Sequence, residues 1–130
     1  MTLKNDEQAI LDQERRALDQ WAPGNPLGYV DIDADDVTYF DDIGAHSRID
    51  GLDRLRTYLA GLMGKIPPHR YELVEPRVQI YGDVGILTLR YQPRDAGGKP
   101  LTAWKATSVY RRAATDWRIV HAHWSMVKES

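Results

Sequence analysis

Two stretches in the first half of the chain place apolar residues at the three- and four-residue intervals of an amphipathic helix. The first, LKNDEQAILDQERRALDQW, covers residues 3–21, and Asn5 or Asp6 is its predicted N-cap. The second, LDRLRTYLAGLMGKI, covers residues 52–66, and its predicted buried stripe is Leu52, Leu55, Leu59 and Leu62. Between them, the sequence predicts a short helical turn within PLGYVDID and a strand at DVTYFDD, residues 36–42.

The second half of the chain has a different pattern, with four extended segments separated by turn-forming residues. These segments are YELVEPRVQIYG (71–82), VGILTLRYQPR (84–94), PLTAWKATSVYRR (100–112) and WRIVHAHWSMV (117–127). Short turns between consecutive strands predict an antiparallel meander. Helices followed by strands predict an α+β fold with the helices on one face of the sheet. No repeat or linker interrupts the pattern, so residues 1–130 are predicted to form one domain.

Neither face of the last three predicted strands is clearly polar. Strict alternation would place Arg118, Val120, Ala122, Trp124 and Met126 on one face, and Trp117, Ile119, His121, His123 and Ser125 on the other. The helices cover only one face of a sheet, and a partly apolar second face needs another cover. The pattern therefore predicts a homodimer that packs sheet to sheet, because a second copy of the chain supplies that cover.

Composition narrows the classes of function. The 130 residues carry a formal net charge of -2 with scattered basic residues, which argues against a nucleic-acid or membrane partner. The chain has no cysteine, which excludes disulfides, thiol catalysis and iron–sulfur clusters. No apolar run approaches the roughly 20 residues of a membrane span. These features predict a cytoplasmic protein.

Three groups of polar residues have alternative interpretations. His121 and His123 could bind a metal ion, but no third ligand stands at signature spacing, since His46 and His69 lie in predicted loops. We therefore expect no metal, and a hydrogen-bonded structural seam is the favoured interpretation. Asp41 and Asp42 are either general-base candidates or turn-capping acids. Arg90 pairs either with an acid such as Asp41 or with a ligand anion.

Several short segments, in their order and spacing, resemble a known group. They are GNPLGY (24–29), DVTYFDD (36–42), RIDGLD (48–53), EPRVQIYGD (75–83), TSVYRR (107–112) and WRIVHAHWS (117–125). Together they resemble the association domain of calcium/calmodulin-dependent protein kinase II and its SnoaL-like relatives in the nuclear transport factor 2-like superfamily. The resemblance implies a cone-shaped, curved antiparallel sheet with N-terminal helices on one face. It also implies a pocket at the wide end of the cone and dimers formed through the other face of the sheet.

The resemblance also implies site residues. Arg90 matches one of the arginines that line the kinase pocket, whereas Ser108 and Trp124 stand where two others would be, so a less basic and more aromatic pocket is expected. The expected ligand-binding residues are Tyr29, Tyr39, Leu55, Tyr58, Leu59, Arg90, Trp104, Ser108 and Trp124. The expected dimer-interface residues are Lys105, Thr107, His121, His123 and Ser125.

Two functions from different classes remain at this point. The first is a small homodimeric association or ligand-binding module with an aromatic pocket and no cofactor. The second is a cofactor-free acid–base enzyme of the isomerase, cyclase, dehydratase or epoxide hydrolase type, for which Asp41 is the candidate base. Fold does not decide between them, because the chemistry depends on the groups inside the pocket.

Overall fold

The computed structural model describes residues 3–44 and 47–128, with side chains from residue 5 onward. A long helix and a short 3-10 helix precede the first strand, a second helix follows, and a four-stranded meander completes the chain. The elements are α1 (Leu3–Trp21), the 3-10 helix (Pro26–Asp31), β1 (Asp33–Phe40), β2 (Ile49–Asp50), α2 (Leu52–Ala60), β3 (Arg70–Tyr81), β4 (Val84–Arg94), β5 (Trp104–Ala113) and β6 (Asp116–Met126).

The strands form one open, curved, six-stranded sheet in the order β2-β1-β6-β5-β4-β3. The α+β fold, the first helix and the meander of the last four strands are as the sequence predicts. One pairing departs from the antiparallel expectation, because β1 runs parallel to β6. A parallel pair requires a long crossover connection, and α2 with strands β3 to β5 provides it here.

Several element boundaries differ from the sequence prediction, among them the start of β5, which lies at Trp104 rather than at Pro100. α2 ends at Ala60 rather than at Ile66, since Gly61 is followed by tight turns that include Leu62 N–H to Leu59 O at 3.0 Å. Asp6 lies inside the first helical turn rather than at its cap, and it pairs with Arg112 at 3.0 Å. β1 begins at Asp33, three positions before the predicted start, which brings Asp33 into the sheet.

Helix α1 packs directly on the inner face of the sheet. Ile10 and Leu18 are buried there, and Ile10 occupies the space that a side chain at Gly85 of β4 would need. The buried side-chain amide of Gln13 pairs with both backbone groups of Trp117 in β6. These contacts fix the helix against the middle of the sheet and leave the region beyond its C-terminal half open for the cavity described below.

A β-bulge in β6 changes which residues face the core. Val109 pairs with His121 and the next residue, Tyr110, pairs with Ile119, so Val120 is an extra residue without a partner. The predicted strict alternation is therefore wrong across Val120. Trp117 and Ile119 are fully buried on the same inner face as Ala122, while Arg118 is only half-buried.

Candidate functional site

A cavity of about 440 Å³ lies between the helices and the inner face of the sheet. Its buried end is formed by side chains from α1, the 3-10 helix, β1, α2 and β6, and its outer end by the α2–β3 and β4–β5 connections. The lining residues of the buried end are Leu18, Tyr29, Asp33, Tyr39, Leu55, Leu59 and Ala122.

Aromatic rings dominate the cavity walls. Six of the lining residues are tyrosine or tryptophan: Trp21, Tyr29, Tyr39, Tyr91, Trp104 and Trp124. The Tyr91 ring makes an edge contact with Trp124, with centroids 5.9 Å apart, and stacks on Tyr71 at 5.0 Å. Such mutual contacts hold the rings in fixed orientations around the cavity.

Asp33 places a carboxyl group on this apolar wall. It is only 7% exposed, and no hydrogen-bond donor among the described residues reaches its carboxyl oxygens. Burial, followed by the nearby charge of Glu14, raises the pKa of Asp33 to about 8. Most buried carboxylates have hydrogen-bond partners. The Asp33 carboxyl has none among the described residues, so it is available to a molecule that enters the cavity.

A second buried carboxyl lies just behind the cavity. Glu14 of α1 is fully buried and accepts hydrogen bonds of 2.5 Å from the hydroxyl groups of Tyr29 and Tyr110. Burial raises the pKa of the Glu14 carboxyl, and the two tyrosine hydrogen bonds oppose that rise. Because Tyr29 also lines the cavity, its hydroxyl proton is directed away from the cavity and toward Glu14.

The outer end of the cavity carries a histidine in a defined arrangement. His69 Nδ1 lies 2.7 Å from the carbonyl of Pro67, which can only accept, so Nδ1 carries a proton. In the neutral ring, Nε2 then accepts from the Tyr91 hydroxyl at 2.5 Å. Lys65 also lines this end and is exposed. The polar groups of the cavity are therefore divided between a buried carboxyl and a solvent-facing basic rim.

The structure brings together most, but not all, of the residues expected around the pocket. The residues that line the cavity are Tyr29, Tyr39, Leu55, Leu59, Trp104 and Trp124. Ser108 is buried on the same face of the sheet but does not reach the cavity. Tyr58 packs beside Tyr39 with ring centroids 6.1 Å apart, and its hydroxyl points to Asp41 rather than into the cavity.

Arg90 is not a pocket residue. β4 turns Leu87, Leu89 and Tyr91 inward, so the alternating residue Arg90 points outward and is exposed, next to Lys105 of β5. None of the described acids forms an ion pair with Arg90, so the alternative of an internal partner is also wrong.

Asp41 is a structural acid rather than a cavity residue. Its Oδ2 accepts hydrogen bonds from Tyr39 at 2.8 Å and Tyr58 at 2.7 Å, and its Oδ1 accepts from the backbone of Ile43 and Gly44. It does not line the cavity. The turn-capping interpretation therefore describes Asp41 better than the catalytic one. The neighbouring Asp42 accepts from the backbone N–H of Met126 at 2.8 Å.

The residues expected at a dimer interface lie on the opposite face of the sheet. His121 is hydrogen-bonded to Thr38 at 2.8 Å, His123 to Ser125 at 3.2 Å, and both imidazole rings pack against Phe40. Burial lowers the pKa of the His121 imidazole. Lys105 and Thr107 are exposed on the same face, in register with Ser125 and His123.

No metal-binding cluster is evident in the part of the chain that the structure describes. No three carboxylate or imidazole side chains of residues 5–44 and 47–128 gather around a common point. His46, which the sequence analysis considered as a third ligand, lies outside the described residues.

A family model decides the relationship of this chain to known proteins. The model of the calcium/calmodulin dependent protein kinase II association domain matches residues 4–128. The chain belongs to this association-domain family. None of the curated proteins matches the chain.

Solved structures with the same fold include both association domains and enzyme-like proteins. A ketosteroid isomerase-like protein from Parabacteroides distasonis is 34% identical, with 92% of this chain and 86% of that chain covered and a TM-score of 0.78. A protein of unknown function with the nuclear transport factor 2-like fold from Pseudomonas putida is 23% identical, with coverages of 99% and 92% and a TM-score of 0.84. The kinase hub homology domain of the alga Chlamydomonas reinhardtii is 23% identical, with coverages of 93% and 98% and a TM-score of 0.74.

Among the described residues, neither α1 nor α2 is both long enough and apolar enough to cross a membrane.

Proposed function

We propose that this member of the association-domain family is a homodimeric module that binds a small, mainly apolar molecule in the cavity between its helices and its sheet. The single observation that carries this proposal is the cavity itself. Its volume of about 440 Å³ falls within the roughly 300–1,000 Å³ of small-molecule sites, and its walls are aromatic and aliphatic around one buried carboxyl.

The outer face of the sheet supports the self-association half of the proposal. Phe40 and the two histidine rings form an apolar and weakly polar patch on β1 and β6, flanked by Lys105 and Thr107. The helices do not cover this face, and a second copy of the chain would bury the patch. The names of the related kinase domains, association domain and hub, are consistent with assembly as a family property.

The binding half is tested with a neutral probe, 2-(2-naphthyl)ethanol, by isothermal titration calorimetry. Ala122→Phe places a ring inside the cavity, whereas Ala60→Phe places the same ring on the exposed end of α2 and serves as the control. We expect the wild type and Ala60→Phe to bind alike and Ala122→Phe to bind at least about tenfold more weakly. Failure of the wild type to bind, or equal binding by Ala122→Phe, would contradict the proposal.

The self-association half is tested by light scattering on the purified chain at micromolar concentration. A mass of twice the chain is expected. A monomer at that concentration would contradict this half of the proposal and leave the binding half standing.

An acid–base enzyme without a cofactor is the second candidate, and Asp33 is the observation that favours it. A carboxyl with a pKa of about 8 in an apolar cavity can accept a proton from carbon near neutral pH. The ketosteroid isomerase-like neighbour, at 34% identity, makes proton transfer on a ketone the natural first reaction to examine.

The enzymatic candidate is tested with cyclohex-3-enone, whose conversion to cyclohex-2-enone is followed by ultraviolet absorbance. Asp33 would take a proton from the carbon between the carbonyl and the double bond and return it to the far alkene carbon. We expect the rate to rise with pH to a plateau above about 8, and to fall at least about 100-fold in Asp33→Asn. No turnover above buffer, or full turnover by Asp33→Asn, would remove this candidate.

A further inference from the structure

The buried end of the cavity combines a carboxyl group with aromatic rings. Asp33 is 7% exposed, lines the cavity and has no hydrogen-bond donor among the described residues. Tyr39 lies close enough for the Asp33 charge to act on its hydroxyl group, and burial followed by the charges of Asp41 and Asp33 raises the pKa of Tyr39. A site of this kind has an unmet requirement for a donor that carries positive charge.

The protons of the nearby hydroxyl groups are already committed elsewhere. Tyr29 donates to Glu14 at 2.5 Å and Tyr39 donates to Asp41 at 2.8 Å. Neither phenol therefore supplies a proton to Asp33, and each contributes an electron-rich ring to the cavity wall. The faces of such rings attract cations and do not attract anions.

No buried basic group is available among the described residues to pair with an anion in the cavity. Arg90, which the sequence analysis expected there, is exposed on the other face of the sheet, and Lys65 stands at the exposed rim. A carboxylate at the buried end would consequently place its charge near Asp33 and Glu14, away from Lys65 and His69 at the outer end. An ammonium ligand would pair its charge with Asp33 instead.

From this arrangement we infer that the molecule bound in the cavity is a hydrophobic amine, whose ammonium group pairs with Asp33 while its apolar body packs against the aromatic walls. This inference rests on the proposed function as a binding module and names the class of its ligand. The bound form needs an ionised Asp33, so binding displaces the proton that Asp33 carries near neutral pH.

Several titratable groups surround Asp33 or share its cavity. The groups that act on it or share its cavity are Glu14 of α1, Tyr29 of the 3-10 helix, Tyr39 of β1, Tyr110 of β5, and Lys65 and His69 of the α2–β3 connection. The Glu14 charge raises the pKa of Asp33, and the bound ammonium opposes that effect. Affinity for an amine should therefore increase as pH rises from 6 to 8.

Three probes of matched shape test the inference by isothermal titration calorimetry: 2-(2-naphthyl)ethylamine, 2-(2-naphthyl)ethanol and 2-naphthylacetate. We expect the amine to bind at least about tenfold more tightly than the alcohol at pH 8, and the acetate to bind most weakly. At pH 7, titration of the amine in phosphate and in Tris buffers should show release of close to one proton per amine bound. The alcohol should release none.

Asp33→Asn keeps the size of the side chain and removes its charge. We expect it to lose at least about tenfold in affinity for the amine and less than about threefold for the alcohol, whereas Asp35→Asn, an exposed position on the same strand, should change neither. Equal binding of amine and alcohol, no proton release, or an unchanged amine affinity in Asp33→Asn would overturn the inference and leave the proposed function intact. Failure of all three probes to bind would overturn both.

Discussion

The side-chain amide of Gln13 forms two hydrogen bonds with the backbone of Trp117, donating to its carbonyl at 2.8 Å and accepting from its N–H at 3.1 Å. Both residues are buried, and they stand 104 positions apart in the chain. The two hydrogen bonds satisfy backbone groups of β6 before the bulge, where β1 does not supply a regular partner. The helix thus substitutes for a missing strand at this point.

Removal of the Gln13 amide should destabilise the fold. Gln13→Ala leaves the N–H and the carbonyl of Trp117 without partners in a buried site, and each such group costs about 1–3 kcal/mol. We expect the free energy of unfolding in urea to fall by about 2–4 kcal/mol. Gln8→Ala on the exposed side of the same helix is the control and should change it by less than about 0.5 kcal/mol. If both substitutions lowered the free energy of unfolding equally, the hydrogen bonds to Trp117 would contribute no more than a surface contact.

Asp33 should make the stability of the protein decrease with rising pH. Its pKa is raised in the folded state from 3.8 to about 8, so between these values the folded chain holds a proton that the unfolded chain has released. The stabilisation is complete below about pH 4 and is lost as pH rises toward 8, by roughly 1 kcal/mol per pH unit.

Urea unfolding at pH 5 and pH 8 measures this dependence. Asp33→Asn cannot ionise, so its stability advantage over the wild type should be larger at pH 8 than at pH 5 by roughly 3 kcal/mol. Asp35→Asn, at an exposed position, should keep the wild-type slope. A slope that survives in Asp33→Asn would have to come from Glu14, whose pKa is also raised by burial.

Mutations on the two faces of β6 should have separate effects, one on ligand binding and the other on self-association. Trp124 contacts Tyr91 and lines the cavity, so Trp124→Ala should weaken binding of 2-(2-naphthyl)ethanol at least about tenfold with little effect on self-association. His123 is exposed on the outer face beside Phe40, so His123→Ala should weaken self-association and leave the probe affinity unchanged. Calorimetry and sedimentation velocity on both variants measure the two effects. If either variant changed both quantities in parallel, the assignment of separate roles to the two faces would be wrong.

Tyr110 should contribute to stability through Glu14. Tyr110→Phe removes one of the two hydrogen bonds to the buried carboxyl, which raises the pKa of Glu14 further and lowers the free energy of unfolding by about 1–3 kcal/mol. Carbon-13 NMR of the glutamate carboxyl and urea unfolding report the two changes. Tyr81→Phe, at an exposed tyrosine, should leave both unchanged. A Glu14 titration that does not move in Tyr110→Phe would contradict the proposed contact.

Much of the architecture follows from local sequence pattern. The bounds of α1 and the order of the last four strands are visible in the spacing of apolar residues and in the turn-forming segments between them. The inward position of Trp104 follows from alternation along β5. Alternation in LTLRY also places Arg90 on the outer face, with Leu87, Leu89 and Tyr91 inward. The resemblance that put Arg90 in the pocket conflicted with this local pattern, and the local pattern was correct.

The position of Asp33 was harder to predict. The segment DIDADD contains four acids, which is typical of a solvent-exposed strand end, and nothing local distinguishes Asp33 from Asp35 or Asp36. Its burial depends on parallel pairing of β1 with β6, and its raised pKa depends also on the charge of Glu14 in α1. These contacts join distant parts of the chain, and the spacing of apolar residues along the sequence does not indicate them.

The bulge at Val120 determines which face each half of β6 presents. If β6 kept Val120 but paired regularly with β5, the two halves of β6 would be out of phase, so one half would have to turn over. If the first half kept its place, His121 and His123 would enter the cavity and Trp124 would lie on the outer surface. If the second half kept its place, Trp117 and Ile119 would leave the core. A single unpaired valine thus keeps one strand contributing an apolar wall inside and an imidazole pair outside.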